Sequence, residues 1–394
     1  MPKIFVLIDF YLPGYKAGGP LRTISNMVER LGDRFEFVIL TRDRDVKDTV
    51  PYPSVKVSNW NRVGKARVYY TSSDSWSLST ISRLIKNESP DVIYLNSFFS
   101  RVSLMFLLLR WLKTIANIPV ILAPRGEFSS GALALKAFKK QFHIWLALKL
   151  NLYRDLIWHA SSAIEEQDVH TVIGPDCTVH IASDIPDQKL LRDDLLVQKP
   201  KKTAGEVRFV FLSRISPKKN LRQALEMLRG SSGQITLDIY GPLEDAHYWQ
   251  DCMKIITAMP NDVKITYQGL LSHEKVAETL LQYHFLLLPT LGENFGHVIL
   301  EALAAGCPVL ISDQTPWMDL AAKEVGWDLS LSNLGRWRGV LQQCIDMDET
   351  VYRNLSQSAR EFARNWISSS DGERKTIALF RRAMESQECV VSPV

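Results

Sequence analysis

The sequence predicts an α/β protein built from two consecutive doubly wound units, and three observations predict it. Short β-rich apolar runs alternate with stretches of helical periodicity from the first residues onward. The alternation stops in a polar segment, residues 183–204, which carries prolines and ends in a basic run, and then it restarts. The length, 394 residues, suits two or three domains of ordinary size. Near-continuous apolar strands separated by helices belong to a parallel sheet covered on both faces.

In the first unit, spans 3–8, 35–40, 91–95, 119–122 and 156–160 read as buried strands. After the first of them, Leu21, Ile24, Val28 and Leu31 recur at helical spacing between Pro20 and Gly32, the expected order of a proline start and a glycine stop. Residues 183–204 read as the linker. In the second unit, spans 208–212, 235–240, 263–268, 285–289 and 308–312 read as strands with helical stretches between them. Residues 371–385 predict a further helix with Ile377, Phe380 and Met384 along one side. The expected domains are therefore 1–190 and 205–365, with a C-terminal helix, 366–387, packing back on the first. Open α/β sheets bind ligands beyond the carboxyl ends of their strands, so a cleft between the two domains is the expected site.

Composition excludes several classes. Hydrophobic residues make up 46% and charged residues 23%, which rules out long disorder, a collagen-like chain and a small disulfide scaffold. With 47 basic and 43 acidic residues the net charge is +4, too mild to imply nucleic acid and yet not repellent to phosphates or anionic lipid. Five scattered cysteines (Cys177, Cys252, Cys307, Cys344, Cys389) have no CxxC or Cys/His ligand spacing and read as reduced thiols of a cytosolic protein. The apolar start is interrupted by Asp9 and no cleavage site follows, so it reads as a strand and not a signal peptide. The longest other apolar run, residues 104–109, falls far short of the ~20 residues of a membrane-spanning helix.

The most informative stretch is TLGENFGHVILEALAAGCPVLISDQTPW, residues 290–317. Glu293 and Asn294 lie in the turn after a strand, a helix over 295–305 follows, and Gly306 is the expected left-handed stop. Glu301 falls in the second turn of that helix. The N–H groups of Gly296, His297 and Val298 stand at the positive end of the helix and suit a phosphate. A carboxylate beside them suits sugar or ribose hydroxyls. A second candidate is FLSRISPKKN, residues 211–220, where Arg214 follows a strand and Lys219 opens the next helix, two cations suited to a diphosphate. A third is YKAGGPLR, residues 15–22, where Gly18 and Gly19 allow close backbone approach to a ligand. It is not G-x-G-x-x-G, which disfavours a nicotinamide or flavin. In APRGEFSSG, residues 123–131, Arg125 and Glu127 either point into the cleft or pair with each other.

A fifth segment, residues 133–150, puts Leu135, Phe138, Phe142, Trp145 and Leu146 together on a helical wheel, opposite Lys136, Lys139, Lys140 and His143. Two readings stay open: a basic aromatic helix lying on an anionic membrane, and a core helix with a solvated basic face. Asp43-x-Asp45 and Asp346-x-Asp348 lack supporting ligands, so no metal is expected; no G-x-S-x-G elbow or P-loop occurs.

Over most of its length the chain resembles glycosyltransferase family 4, retaining enzymes of the GT-B fold, and within it the bacterial transferases for lipopolysaccharide, capsule or exopolysaccharide. The resemblance rests on YKAGGPLRTI, DVIYLNSFFS, APRGEF, FLSRISPKKN, LDIYGP, YQGLLS and the 290–317 string, whose two glutamates, Glu293 and Glu301, are separated by seven residues. It implies two Rossmann-like domains and a nucleotide-diphosphate sugar as substrate, with no further cofactor. Glu301 would hold the ribose and Glu293 the transferred sugar. Asn294, Phe295 and Gly296 would offer backbone N–H groups, Arg214 and Lys219 would grip the diphosphate, and Gly18–Gly19 would close over it. The implied acceptor is a glycan or polyprenyl-linked glycan, and the implied place is the cytoplasm, at the inner face of the membrane. Many relatives carry a histidine after the strand that here ends at Pro124; this chain has Arg125-Gly126. Competing readings are a nucleotide-sugar epimerase and a non-catalytic sugar-binding scaffold.

Overall fold

The computed structural model describes residues 1–72, 75–134, 137–191 and 199–391, with the backbone alone at 130 and 387–391. It forms two compact units, Met1–Pro186 with Ser370–Val394, and Asp187–Ser369.

In the first unit the chain runs β1 (Lys3–Leu7), α1 (Gly19–Leu31), β2 (Glu36–Arg42), β3 (Trp60–Val63), β4 (Ala66–Thr71), α2 (Leu78–Glu88), β5 (Val92–Asn96), α3 (Arg101–Trp111), β6 (Val120–Ala123), α4 (Ser130–Ala134), α5 (Ala137–Lys149), β7 (Ile157–Ala160), α6 (Ala163–Ile173) and β8 (Thr178–Ile181). The strands form one sheet in the order β3-β4-β2-β1-β5-β6-β7-β8, parallel except for the β3–β4 edge pair. Alternate residues serve two cores, as the pleat requires. Phe5 and Leu7 face one core with Val38, Leu40 and Ile93, whereas Ile4 and Val6 face the other with Phe37, Ile39 and Tyr94. Strand β1 lies between β2 and β5, so its carboxyl end, from which the Gly18–Gly19 turn departs, is the point where the strand order reverses.

In the second unit the order is β9 (Glu206–Leu212), α7 (Leu221–Leu228), β10 (Gln234–Tyr240), α8 (Ala246–Thr257), β11 (Val263–Gly269), α9 (His273–Leu280), β12 (Phe285–Leu288), α10 (His297–Ala304), β13 (Val309–Ser312), β14 (Gly326–Leu329), α11 (Leu334–Asp346) and α12 (Glu349–Ser369). Its sheet is parallel in the order β11-β10-β9-β12-β13-β14, and one apolar core contains Phe209, Leu286 and Leu310. Helix α13 (Gly372–Val391) returns to the first unit. There Phe380 meets Phe35, Phe37 and Tyr94 edge-to-face at 5.2, 6.2 and 6.0 Å.

Several expectations need correction. The break before the last helix falls at 370–371, so residues 366–369 end α12 and belong to the second unit. The edge strands β3, β8 and β14, and β4 beside the first of them, are absent from the sequence reading. Gly32 caps α1 as expected, in right-handed conformation, φ −66°. A Cβ there would lie 2.5 Å from Lys65 Cβ, so close approach and not a left-handed stop requires glycine. Of the supposed linker, residues 192–198 lie outside the described residues. Its basic run is not loose: Lys199 and Lys202 are buried. Lys199 Nζ donates to Leu280 O and Tyr283 O at 2.8 and 2.9 Å, and Lys202 Nζ to Ile345 O and Met347 O at 2.8 and 2.9 Å. Each ammonium thereby satisfies backbone carbonyls at the end of a helix.

The basic helix does not separate into the two faces the wheel gave. Leu135 and Lys136 lie outside the described residues. In α5, Lys140 turns inward, donating to Ala132 O at 2.6 Å and sitting 5.2 Å from the Phe99 ring. His143 packs on Phe98 and Phe99. Phe138, Phe142 and Trp145 face outward, 83, 55 and 54% exposed. Of the two readings, the core helix with an aromatic inner face is thus excluded. Among the described residues no helix is long and apolar enough to cross a membrane.

Candidate functional site

Strands β9 and β12 are neighbours, so the loops leaving their carboxyl ends meet. The first loop carries Arg214, turns through Ile215 and Ser216, and makes a 3₁₀ turn, Pro217–Lys219; α7 begins only at Leu221, so Lys219 precedes the helix it was expected to open. The second loop carries Glu293 to Gly296. Backbone stitches hold the two together: Leu291 N donates to Lys218 O at 2.8 Å, and Thr290 Oγ1 to the same oxygen at 3.2 Å. Lys219 Nζ and Glu293 Oε1 form an ion pair, with side chains 9 and 14% exposed. Burial would push the Glu293 carboxyl up, but Lys219, with Lys218 and Arg214 adding to the field, holds it below the ordinary glutamate value. Arg214 itself pairs with Glu244 at 3.0 Å on the surface.

Glycine is required at two positions here. A Cβ on Gly241 would lie 1.9 Å from Ser213 O, where the chain leaving β10 crosses the Arg214 turn. Gly296 caps α10 at φ 79°, and a Cβ there would strike Ile299 Cδ1 at 2.7 Å. The predicted helix 295–305 is shorter, His297–Ala304, with Gly306 left-handed at φ 62° as the sequence implied. Glu293 N donates to Gln314 O at 3.0 Å, and Trp317 Nε1 to Phe295 O at 2.5 Å. Trp317 meets the Phe295 ring edge-on at 5.8 Å and Trp366 meets it tilted at 5.5 Å, so β13's exit and α12 fix the loop that holds Glu293 and Asn294.

Glu301 is buried on α10, with Oε1 3.7 Å from His273 Nδ1; His273 Nε2 lies 3.6 Å from Asp187 Oδ2. His273, Asp187, Glu244 and Gln314 are neighbours the sequence did not reveal, since none stands in a recognisable spacing with Glu293 or Glu301.

In the first unit the Gly18–Gly19 turn is held from behind by Asp45, which accepts from Tyr15 N and Lys16 N at 2.7 and 3.1 Å. Gly18 has φ 72° and Gly19 begins α1. Asp43 pairs with Arg44, so both aspartates of Asp43-x-Asp45 are engaged in loop structure. Arg125 and Glu127 do not pair with each other. Arg125, 4% exposed, donates to Asp184 Oδ1 and the Tyr94 hydroxyl at 2.7 Å and to Asn96 Oδ1 at 2.9 Å. Glu127 accepts from Ser97 Oγ and the N–H groups of Phe98 and Phe99. Both fasten the ends of β5 and β6, and every polar atom of the Arg125 fork is turned inward, a role that spacing alone does not disclose.

Residues 193–330 match the family model of glycosyl transferases group 1. This glycosyl transferases group 1 segment contains Arg214, Lys219, Glu293 and Glu301. The fold is that of GT-B glycosyltransferases. Three solved structures are similar over the whole chain. Anabaena HepE, in complex with UDP and glucose, is 16% identical at TM-score 0.69, covering 97% of this chain and 100% of that one. Sucrose-phosphate synthase from Thermosynechococcus elongatus is 15% identical at TM-score 0.75, covering 98% and 100%. WaaB, a lipopolysaccharide outer core galactosyltransferase, is 15% identical at TM-score 0.61, covering 98% and 100%. No curated protein sequence matches the chain significantly.

Proposed function

We propose that this protein is a retaining, metal-independent hexosyltransferase of the family 4 type. It would move a sugar from a nucleotide-diphosphate sugar to a glycan or polyprenyl-linked glycan in lipopolysaccharide, capsule or exopolysaccharide synthesis. The observation that carries the reading is the buried Lys219–Glu293 pair where β9 and β12 end side by side, with Gly296 and α10 directly after it. The capture of HepE with UDP and with UDP-glucose supports a nucleotide sugar as donor.

As the sugar–phosphate bond breaks, negative charge grows on the diphosphate and positive charge on the ring. Lys219 and Arg214 are set to balance the first, together with the amide end of α10. Releasing Arg214 from Glu244 costs little, because that pair is half-exposed. Glu293 meets the sugar, Asn294, Phe295 and Gly296 offer backbone N–H groups, and Glu301 takes the ribose hydroxyls. Gly18 and Gly19 present bare backbone to the donor. The acceptor oxygen bonds the anomeric carbon on the face the diphosphate leaves, and its proton passes to a donor phosphate oxygen. The nucleoside diphosphate departs, and no protein base is required.

A donor panel with and without glycan acceptors tests the reading. Acceptor-dependent release of nucleoside diphosphate is expected. Donor converted to an isomer without acceptor would make the protein an epimerase, and donor binding without release under any acceptor would make it a scaffold.

Peripheral contact with the inner face of the membrane is part of the proposal, through the outward Phe138, Phe142 and Trp145 of α5, flanked by the exposed Lys139 and Lys149. Flotation with anionic vesicles should recover the wild type and lose most of F142E/W145E; equal recovery contradicts this surface.

A further inference from the structure

Away from these residues the first unit carries a basic groove. Arg34, in the turn between α1 and β2, lines it together with Arg374, Arg381 and Arg382 of α13 and with Ile377 and Ala378. The groove encloses about 780 Å³, within the range of small-ligand sites. Glu373 is occupied by Arg30 at 2.5 Å, and Arg374 meets Asp371 at 3.4 Å. Glu385 stands at one end. Among the described residues, Arg34, Arg381 and Arg382 have no carboxylate within ion-pair distance.

Three guanidiniums without a carboxylate partner line one hollow, and such a cluster offers a local positive field to an anion. The cations are all arginines, and the planar fork matches phosphate oxygens two at a time, which a lysine does not. The walls contain no aromatic ring on which a nucleobase would stack. Ile377 and Ala378 are the apolar part of the lining. We infer that this groove is a second anion site, which binds a ligand with clustered phosphate groups, separate from the diphosphate site assigned to Lys219 and Arg214. A phosphorylated lipid head and a soluble polyphosphate share that chemistry.

The test is calorimetric titration with tripolyphosphate and, below its micelle concentration, dioctanoyl phosphatidic acid, with dioctanoyl phosphatidylcholine as the uncharged control. Each is measured on the full chain, on R381A/R382A, on R34A, and on the same variants in a K219A background, so that phosphate held by the other site is removed from the reading. The expected result is a Kd raised at least about tenfold in R381A/R382A and several-fold in R34A, equally in both backgrounds. Tighter binding of phosphatidic acid than of tripolyphosphate assigns the groove to a lipid head, and the reverse order to a soluble ligand. The inference is overturned if neither anion binds, if phosphatidylcholine binds as well as phosphatidic acid, or if Kd stays within about twofold in both groove variants. Because Arg34, Arg381 and Arg382 are exposed, their replacement leaves the core untouched. Loss of the groove signal with acceptor-dependent turnover intact, or the converse, separates this inference from the proposed activity.

Discussion

At the scale of single residues, the account turns on Lys219 and Glu293, 74 positions apart and joined as an ion pair. In the free protein the carboxylate neutralises the ammonium that the proposal gives to the diphosphate. Glu293→Gln should therefore leave the affinity for a nucleoside diphosphate unchanged or tighter while turnover falls; calorimetry and a turnover assay on one variant check both halves. Weaker nucleotide binding would mean that Glu293 holds Lys219 in place and does not compete for it. The two residues were each legible as candidates, because a strand-to-loop glutamate before a glycine-started helix and a loop lysine after a strand are local patterns. Their pairing was not legible. It follows from β9 and β12 being neighbours, which depends on strand order and not on spacing. Arg125 also follows a strand, yet Tyr94, Asn96 and Asp184 enclose it, and no local pattern announces a partner 59 residues away.

At the scale of elements, helix α12 and the exit of β13 determine how rigid the Glu293 loop is. Trp317 donates to Phe295 O and packs, tilted, against Trp366 at 5.1 Å. Trp317→Phe keeps an aromatic ring and deletes the donor, so it should cost about 1 kcal/mol of stability and raise the donor KM more than it lowers kcat. Thermal melts and steady-state kinetics measure this; unchanged values of both would remove α12's supporting role. Central strands were read within a residue or two because they are continuous apolar runs. The β3–β4 pair was missed because its sequence, WNRV then ARVYYT, mixes charge into an antiparallel edge. For helix α5 the wheel left two arrangements open. A wheel separates two faces and cannot say which one the neighbouring Phe98, Phe99 and Tyr153 cover.

At the scale of the whole molecule, acid should unfold the chain partly through buried histidines. Burial, with Lys202 nearby, pushes His284 down to about 4. The folded state keeps it neutral, whereas the unfolded chain takes up a proton below about 6.5. The stability it contributes is thus present above about pH 6.5 and lost as the pH falls toward 4. His284→Asn offers an acceptor in place of Nδ1, which receives Arg208 N–H at 3.0 Å. The melting-temperature gap between wild type and this variant should narrow between those limits; a constant gap contradicts the assignment. The measurement that bears most directly on the central claim is acceptor-dependent release of nucleoside diphosphate by Lys219→Ala against wild type, across a donor panel. The account predicts a loss of about 100-fold or more in a chain that still unfolds in one cooperative transition, at a melting temperature lowered because Glu293 is left buried without its partner. Turnover within twofold of wild type on every donor would contradict it.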